Sequence, residues 1–419
     1  MSKGIQSSSE WVSLGHPDRL SDLIAAIIIN DIQKKDGYNS HAAVEVFLTH
    51  DKAIISGEVT TTLELSDEYL RSVLKQAYHM AGYIDEMRHY WSKKEVMLAD
   101  DMEVINLIQA QSPDIALGTT DKGKKSGWND VGIMFSSSEN TNSRRLGVPM
   151  LLATLIGEEL HKISKESIET GASIMLGPDI KVVVTCNTED AFHCNRVDAI
   201  TISQSHSKTT SADALHPFVK KVAINAIKNS GLKNMVIDED CKWVINGTGQ
   251  FTVMGNVSDT SMTGRKISVN HPSAGPVYCN KMIGGGSLVK CYHASDFILN
   301  VAARFVANVI TRSGLADYCV VGLSCAIGRN ELQSMFIYAN ADPRMIQDIK
   351  RFFEDSIDWS VHGLTELFKI MSCDFSFSDV VAHNFFGHPE ASQTWEGDLV
   401  GTYAWGLRDY LQAKVSTQR

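Results

Sequence analysis

The chain has 419 residues, 39 basic and 49 acidic, for a net charge of −10 with histidine neutral. That length suggests two to four domains of about 150 residues each, and the acidic balance argues against a whole-surface nucleic-acid binder, which is usually basic. Apolar residues at 43% can build a core, and charged residues at 21% are too few for a disordered acidic chain.

The opening MSKGIQSSSEW has no apolar core, so no secretory signal is expected. The first helix is expected over Leu20–Lys34, apolar on more than one face and stopping near Gly37. Its run Leu23–Ile29 is the longest strongly apolar stretch, far short of the ~20 residues a membrane span needs. Two β-rich runs follow, Ala42–Thr49 and Ala53–Thr62, then a helix over Ser66–Ala81 with an S-D-E start and Gly82 after it. An amphipathic helix is predicted over Pro149–Ile163, strands at Lys181–Cys186 and Asp198–Ser203, and a helix over Ala214–Asn229 closing at Gly231. Lys242–Ile245 and Phe251–Met254 read as another strand pair. A helix over Ser295–Ser313 stops at Gly314, before strands at Cys319–Ile327 and Ser334–Ala339 and helices over Arg344–Phe353 and Val361–Met371. Paired strands followed by helices recur about three times, which predicts an α+β fold of three similar units with helices on one face of mixed sheets. Their boundaries are placed near Asn129 and Gly249, giving units 1–128, 129–248 and 249–419. None of the eight cysteines forms a CxxC pair, so buried reduced thiols of a cytoplasmic protein are expected.

Several segments carry chemistry. Gly15-His16-Pro17-Asp18 precedes the first helix, whose free amides and partial positive charge attract phosphate. His16 can donate to a phosphoryl or ribose oxygen and Asp18 can hold a divalent cation, although Pro and Asp here also suit a plain helix start. If Asp51-Lys52 is a two-residue hairpin loop, Glu45 lies directly opposite Glu58, a like-charge clash that a bound cation or cationic substrate group would relieve. The polar stretch Gln111–Asp130 reads either as a lid or as a simple connection. Asn246–Lys266 is glycine-rich and presents Asp259 and the Arg265-Lys266 pair, a fork and a point charge suited to polyphosphate, with Phe251 placed to stack on a base. No P-loop pattern and no complete dinucleotide-binding glycine motif occurs. Gly284-Gly285-Gly286, Lys290 and Asp296 repeat the theme, with Asp296 either a metal carboxylate or a helix cap.

In order, GHPDRLSD (15–22), AVEVF (43–47), ISGEVTT (55–61), QSPDIALG (111–118), NDVGIMF (129–135), GPDIKVVVT (177–185), INGTGQF (245–251), MTGRKISV (262–269), GGGSLVK (284–290) and SCAIG (324–328) resemble the S-adenosylmethionine synthetase (methionine adenosyltransferase) family. The closing FFGHPEASQTWE is loosely similar too. The resemblance implies three α+β domains about a pseudo-threefold axis and conversion of ATP, L-methionine and water to S-adenosylmethionine, phosphate and pyrophosphate. It implies that His16 contacts the ribose–triphosphate end, that Asp18 and Asp296 bind two magnesium ions, and that Glu45 binds potassium. Glu58, Gln111, Asp259 and Ile327 would bind methionine, Gln111 also opening a gate loop. Asp130, Asp179 and Phe251 would contact adenosine, and Lys181, Arg265, Lys266 and Lys290 the phosphates. His16, Lys181, Arg265 and Lys290 would be the catalytic set. Family members are homodimers with sites between subunits, and dimers often pair into tetramers; neither nucleic acid nor membrane is an expected partner.

The chain departs from the family at three places: Gln250 stands where Arg is usual, Val131 where Gln is usual, and Ala294 where a second Lys is usual, with His293 next door as a possible substitute charge. A divergent member follows, with slower turnover, another thioether or an altered salt requirement left open. A catalytically degenerate nucleotide-binding or regulatory homologue is the alternative, and a polyphosphatase on the same scaffold would need neither Glu58 nor Asp259.

Overall fold

The computed structural model describes residues 5–111, 127–188, 194–270, 286–390 and 393–417. Most of the expected gate loop, Gly284, Gly285 and Cys279 lie outside the described residues. Three sheets organise the α+β fold. The first runs β1 (Ile5–Val12), β6 (Leu176–Thr188), β7 (Cys194–His206) and β8 (Lys242–Ile245). The second runs β4 (Glu103–Ala110), β3 (Lys52–Thr60), β2 (His41–Thr49) and the short β9 (Ser261–Met262), and the third β11 (Ser334–Ala339), β10 (Tyr318–Cys325) and β5 (Gly132–Glu139). Each sheet therefore joins strands far apart in the chain.

Helices α3 (Val148–Thr170) and α4 (Ala212–Lys228) cover the first sheet over a core that includes Leu152, Ile156, Val182, Ile200 and Val219. A second core joins the other two sheets through α1 (Pro17–Asp36), α2 (Asp67–Ala81) and α5 (Ser295–Arg312). Along β2 the alternation puts Val44, Val46 and Leu48 into that core and turns Ala43, Glu45 and Phe47 to the other face. Helix α1 is apolar on more than one face because Leu20–Ile29 is buried all round, between the second sheet, α2 and the short α8 (Phe377–Ala382). No helix among the described residues is long and apolar enough to cross a membrane.

Four expectations change. The hairpin loop is His50-Asp51, with Thr49 opposite Lys52, because His50 takes a left-handed φ of 44°. Glu45 consequently faces Ser56 and Glu58 faces Ala43, so the two acids are diagonal neighbours rather than opposite. Phe251–Met254 is not a strand; β8 pairs instead with β7, in parallel. Helix α3 continues past Ile163 to Thr170, stopping before Gly171. Of the thiols, Cys373 is exposed and Cys194 half-buried rather than buried.

The chain after α5 passes through α6 (Pro343–Ser356), α7 (Val361–Leu367) and α8, and Glu396 then returns beneath α5 ahead of α9 (Asp398–Thr417). Arg304 of α5, fully buried, gives Nε to Glu396 Oε1 at 2.7 Å and Nη2 to Oε2 at 3.0 Å. Its remaining donors meet the carbonyls of Ser137, Arg144 and Arg145. Removing one partner strands a buried charge, so Arg304→Met is expected to cost about 3–5 kcal/mol in a urea unfolding curve. A loss under about 1 kcal/mol would show that the pair does not fasten the C-terminal segment.

Candidate active site

The site begins at the N-terminus of α1. His16 is its N-cap, and Nδ1 accepts the Asp18 amide at 3.2 Å, so the ring proton belongs on Nε2. Burial, with the Lys266 charge next in weight, lowers the His16 pKa to about 3, so the ring is neutral at physiological pH and offers one N–H. The Tyr83 hydroxyl fixes the preceding turn by donating to the Gly15 carbonyl at 2.6 Å.

Asp18 is 1% exposed yet charged partners surround it. Its Oδ2 takes Lys266 Nζ at 2.6 Å, its Oδ1 takes the Met262 amide at 3.0 Å, and Arg265 Nη1 stands 3.6 Å away. The turn that delivers these cations passes through Gly264, whose φ of 74° favours glycine and whose amide donates to Asp22 Oδ1 at 2.9 Å. Thr263 continues the network to Glu45 Oε2, and Lys290 Nζ reaches Glu45 Oε1 at 2.9 Å. Glu45 is thus paired with an internal ammonium. Asp22 is the acid left over: fully buried, its Oδ2 has no hydrogen-bond partner among the described residues, and burial lifts its pKa to about 6.

Beside this network lies a cleft of about 510 Å³. His16, Asp179, Lys181, Gln250, Phe251 and Asp259 line it. Strand β6 supplies Asp179 and Lys181, two residues apart and therefore on the same face. Lys181 pairs with Glu10 of β1 at 2.8 Å. Asp179 Oδ2 takes the amide of Gly255, a residue with φ of 61°, at 2.9 Å. Phe251 is pinned to the end of β7 by His206, which accepts the Phe251 amide on Nε2 and donates its own amide to the Phe251 carbonyl. The cleft therefore offers an aromatic face, a neutral N–H donor and an ammonium at one helix N-terminus, with Arg265 and Lys266 behind. That combination suits a nucleoside carrying a phosphate chain.

The remaining expected residues do not line this cleft. Glu58 and Gln111 sit at the end of the second sheet, where Gln111 bonds the Val59 carbonyl and Thr60 hydroxyl. Asp130 and Ile327 sit at the end of the third sheet, where Trp128 bridges to Ile327 and the Asp130 carbonyl meets Cys325 Sγ. Asp296, on the first turn of α5, takes the Gly286 amide at 2.8 Å. Val131 and Ile327 here are 65% and 60% exposed, and Ile133 and Phe336 are exposed as well.

The departures resolve unevenly. Gln250 does face the cleft, and Ala294 is buried as the N-cap of α5. His293 cannot replace the missing lysine: it is packed against His41, and burial lowers its pKa to about 3, so it is neutral. Among the described residues no group of three His, Cys, Asp or Glu side chains forms a metal cage. Asp22, Tyr83, His206 and Thr263 were not singled out from the sequence. Asp22 stands in the GHPDRLSD run, whereas Tyr83 and His206 act on segments remote in the chain and leave no local signal.

Residues 5–113, 125–251 and 253–397 match the N-terminal, central and C-terminal domains of S-adenosylmethionine synthetase. The chain is 31% identical to the S-adenosylmethionine synthase of Acholeplasma laidlawii over 333 residues, 79% of this chain and 81% of that one. It is 29% identical to the Fusobacterium nucleatum enzyme of the same name over 398 residues, 94% and 96% of the two chains. An unusual S-adenosylmethionine synthetase from Campylobacter jejuni superimposes with a TM-score of 0.81 at 25% identity, covering 95% of this chain and 99% of that chain.

Asp179 yields a pH prediction. Burial, the largest cause, raises its pKa from 3.8 to about 7. The folded state therefore holds this proton more tightly than the unfolded state, and the resulting stability is whole below pH 3.8 and lost as pH rises through about 7. In melting curves of the ligand-free protein, Asp179→Asn is expected to flatten the fall in midpoint between about pH 5 and pH 8. Equal falls in wild type and variant would contradict the assignment.

Proposed function

The chain belongs to the S-adenosylmethionine synthetase family as a divergent member, and we propose that it is an ATP:L-methionine S-adenosyltransferase. The observation that carries this reading is the Asp18–Lys266–Arg265 cluster at the N-terminus of α1, beside a cleft that holds Phe251, His16 and Lys181.

In this reading adenine stacks on Phe251, Asp179 and Asp130 contact the adenosine, and the phosphate chain runs toward α1. Sulfur is a neutral nucleophile and needs no general base. It attacks C5′ of ATP, the C5′–O bond breaks, and the triphosphate leaves with the electron pair; water then cleaves it to phosphate and pyrophosphate before release. Charge gathers on the leaving group as the bond breaks, so prepositioned cations stabilise the transition state more than the ground state. Lys181, Arg265, Lys266 and Lys290 are those cations, and His16 donates its Nε2 proton to the ribose–triphosphate end. Lys266 and Lys290 exchange Asp18 and Glu45 for phosphate oxygens. Asp259, Glu58, Gln111 and Ile327 hold methionine.

Asp18 and Asp296 fit magnesium in kind: hard carboxylate oxygens, one or two per ion, with the remaining positions left to phosphate and water. The unpartnered Oδ2 of Asp22 adds a buried negative site nearby. Bound there, the two ions would neutralise charge on the triphosphate. Glu45, freed from Lys290, would hold potassium. Because Glu58, Gln111, Asp130 and Ile327 lie away from the cleft at sheet ends, and Asp296 lies outside its lining on the first turn of α5, a second copy of the chain is proposed to bring them to it, making a homodimer that can pair into a tetramer. A cytoplasmic location is part of this reading, and the free thiols among the described residues suit it.

The test is chromatography after incubating isotope-labelled methionine with ATP and Mg2+. Labelled adenosyl product is expected; phosphate alone would indicate a polyphosphatase, and neither would indicate a non-catalytic homologue. Lys181→Met should lower kcat by about 10²–10³ while changing the methionine KM little. Wild-type turnover in that variant would remove Lys181 from the leaving-group site.

A further inference from the structure

The residues assigned to methionine leave half of an amino acid unmet. Asp259 and Glu58 are acids suited to its ammonium, Ile327 is apolar, and Gln111 offers an uncharged amide. None is a cation, although a carboxylate drawn out of water calls for a charged partner. The four cations of the proposed phosphate site already have acids of their own: Lys181 meets Glu10, Arg265 and Lys266 meet Asp18, and Lys290 meets Glu45. Gln250 and Ala294 stand where two more cations are usual.

One further cation stands beside Ile327. Arg329 follows it by two residues, in the turn after β10, and is exposed. Among the described residues its guanidinium bonds no carboxylate and no carbonyl, and the acids at this sheet end, Asp130, Asp296 and Glu331, form no ion pair with it. The backbone that carries it is firmly held. Its carbonyl accepts the Trp128 amide at 2.8 Å, its amide donates to the Ala326 carbonyl at 3.1 Å, and the Gly328 amide donates to the Trp128 carbonyl at 2.9 Å. A Cβ on Gly127 would come within 2.4 Å of the Gly328 carbonyl carbon, so the two segments approach as closely as glycine allows. Trp128, fully buried, gives Nε1 to the Glu331 carbonyl at 3.3 Å. Next to it, Asn129 Oδ1 accepts the Ser295 amide at 2.9 Å, which brings the start of α5, with Ala294 and Asp296, to the same sheet end. An unpaired guanidinium on a fixed turn therefore shares this corner with Ala294, where a second Lys is usual.

We propose that Arg329 binds the carboxylate of methionine and makes the site specific for α-amino acids over their amides. This inference rests on the proposed function: the second copy that brings Ile327 to the cleft brings Arg329 with it. Asp259 of the cleft takes the ammonium and Arg329 the carboxylate, so the two charges of one substrate are met from the two copies. A planar guanidinium gives two parallel N–H groups to the two carboxylate oxygens, whereas an amide offers one acceptor and turns N–H groups toward the cation. Arg329 also offsets the charge of Asp130, Asp296 and Glu331, which the carboxylate would otherwise meet.

The probe is L-norleucine, which keeps the carboxylate but has no sulfur to adenosylate, titrated calorimetrically into the full chain with Mg2+ and the β,γ-imido analogue of ATP. Saturable binding is expected, weakened about 10–100-fold by Arg329→Ala and less by Arg329→Lys, which keeps the charge but not the fork. L-Norleucinamide, which lacks the carboxylate, should bind wild type and Arg329→Ala alike. Because Arg329 is exposed, the melting midpoints of both variants should match wild type, which separates lost binding from misfolding. No saturable norleucine binding to wild type, equal binding to Arg329→Ala, or an equal loss for the amide would overturn the proposal. The adenosyl-product assay decides the proposed function separately: norleucine binding that depends on Arg329, in a chain that forms no adenosyl product, would sustain this inference and refute the transferase.

Discussion

The site depends on one buried charge. A carboxylate at 1% exposure is tolerable only if it is paired and hydrogen-bonded, and Asp18 achieves this with Lys266, the Met262 amide and Arg265. Lys266 lies 248 residues further along the chain, so satisfying Asp18 requires the first helix to meet the last third of the protein. The same turn is held again by Asp22 through Gly264 and by Glu45 through Thr263. Cations are consequently held at one helix N-terminus. Under the proposed function, exchanging a carboxylate for a phosphate oxygen would need little rearrangement, which is the condition for strong electrostatic stabilisation of a leaving group.

The three sheets set where these parts stand. Strand β6 carries Asp179 and Lys181 to the mouth of the cleft, and β2 carries Glu45 to the edge of the cation turn. The second and third sheets present Glu58, Asp130 and Ile327 elsewhere, with apolar surface beside them. The fold is shared with the Campylobacter jejuni synthetase at 25% identity. Cores accept such divergence when volume and patterning persist, whereas charged positions do not substitute so freely. His293 illustrates this: adjacent in sequence to the missing lysine position, it is desolvated to a neutral ring.

Much of the architecture was legible locally. Helices α1, α2, α4 and α5 announce themselves by caps, apolar spacing and terminal glycines, and their extents agree with the expectation to within a few residues. Strands β1 and β5 were missed for a physical reason: their buried positions include Ser7, Ser9, Ser136, Ser137 and Ser138, so no apolar alternation marks them. They are strands because neighbouring strands bond them, as Trp11 opposite Val182 and Phe135 opposite Gly322 show. The hairpin turn lies one residue earlier than expected, which moves the cross-strand pairing by two residues, since the left-handed turn at His50 is not what Asp-Lys composition suggests.

The sequence by itself determined the α+β class, the family and the inventory of charged and aromatic side chains, because periodicity, capping and ordered motifs are properties of neighbouring residues. Only the tertiary structure decided which acid each cation meets: Lys266 on Asp18, Lys290 on Glu45, and neither on Asp22. It also decided that His16 and His293 are neutral. Pairing and desolvation depend on distances between segments hundreds of residues apart, and those distances exist only once the sheets have exchanged strands and the helices have packed.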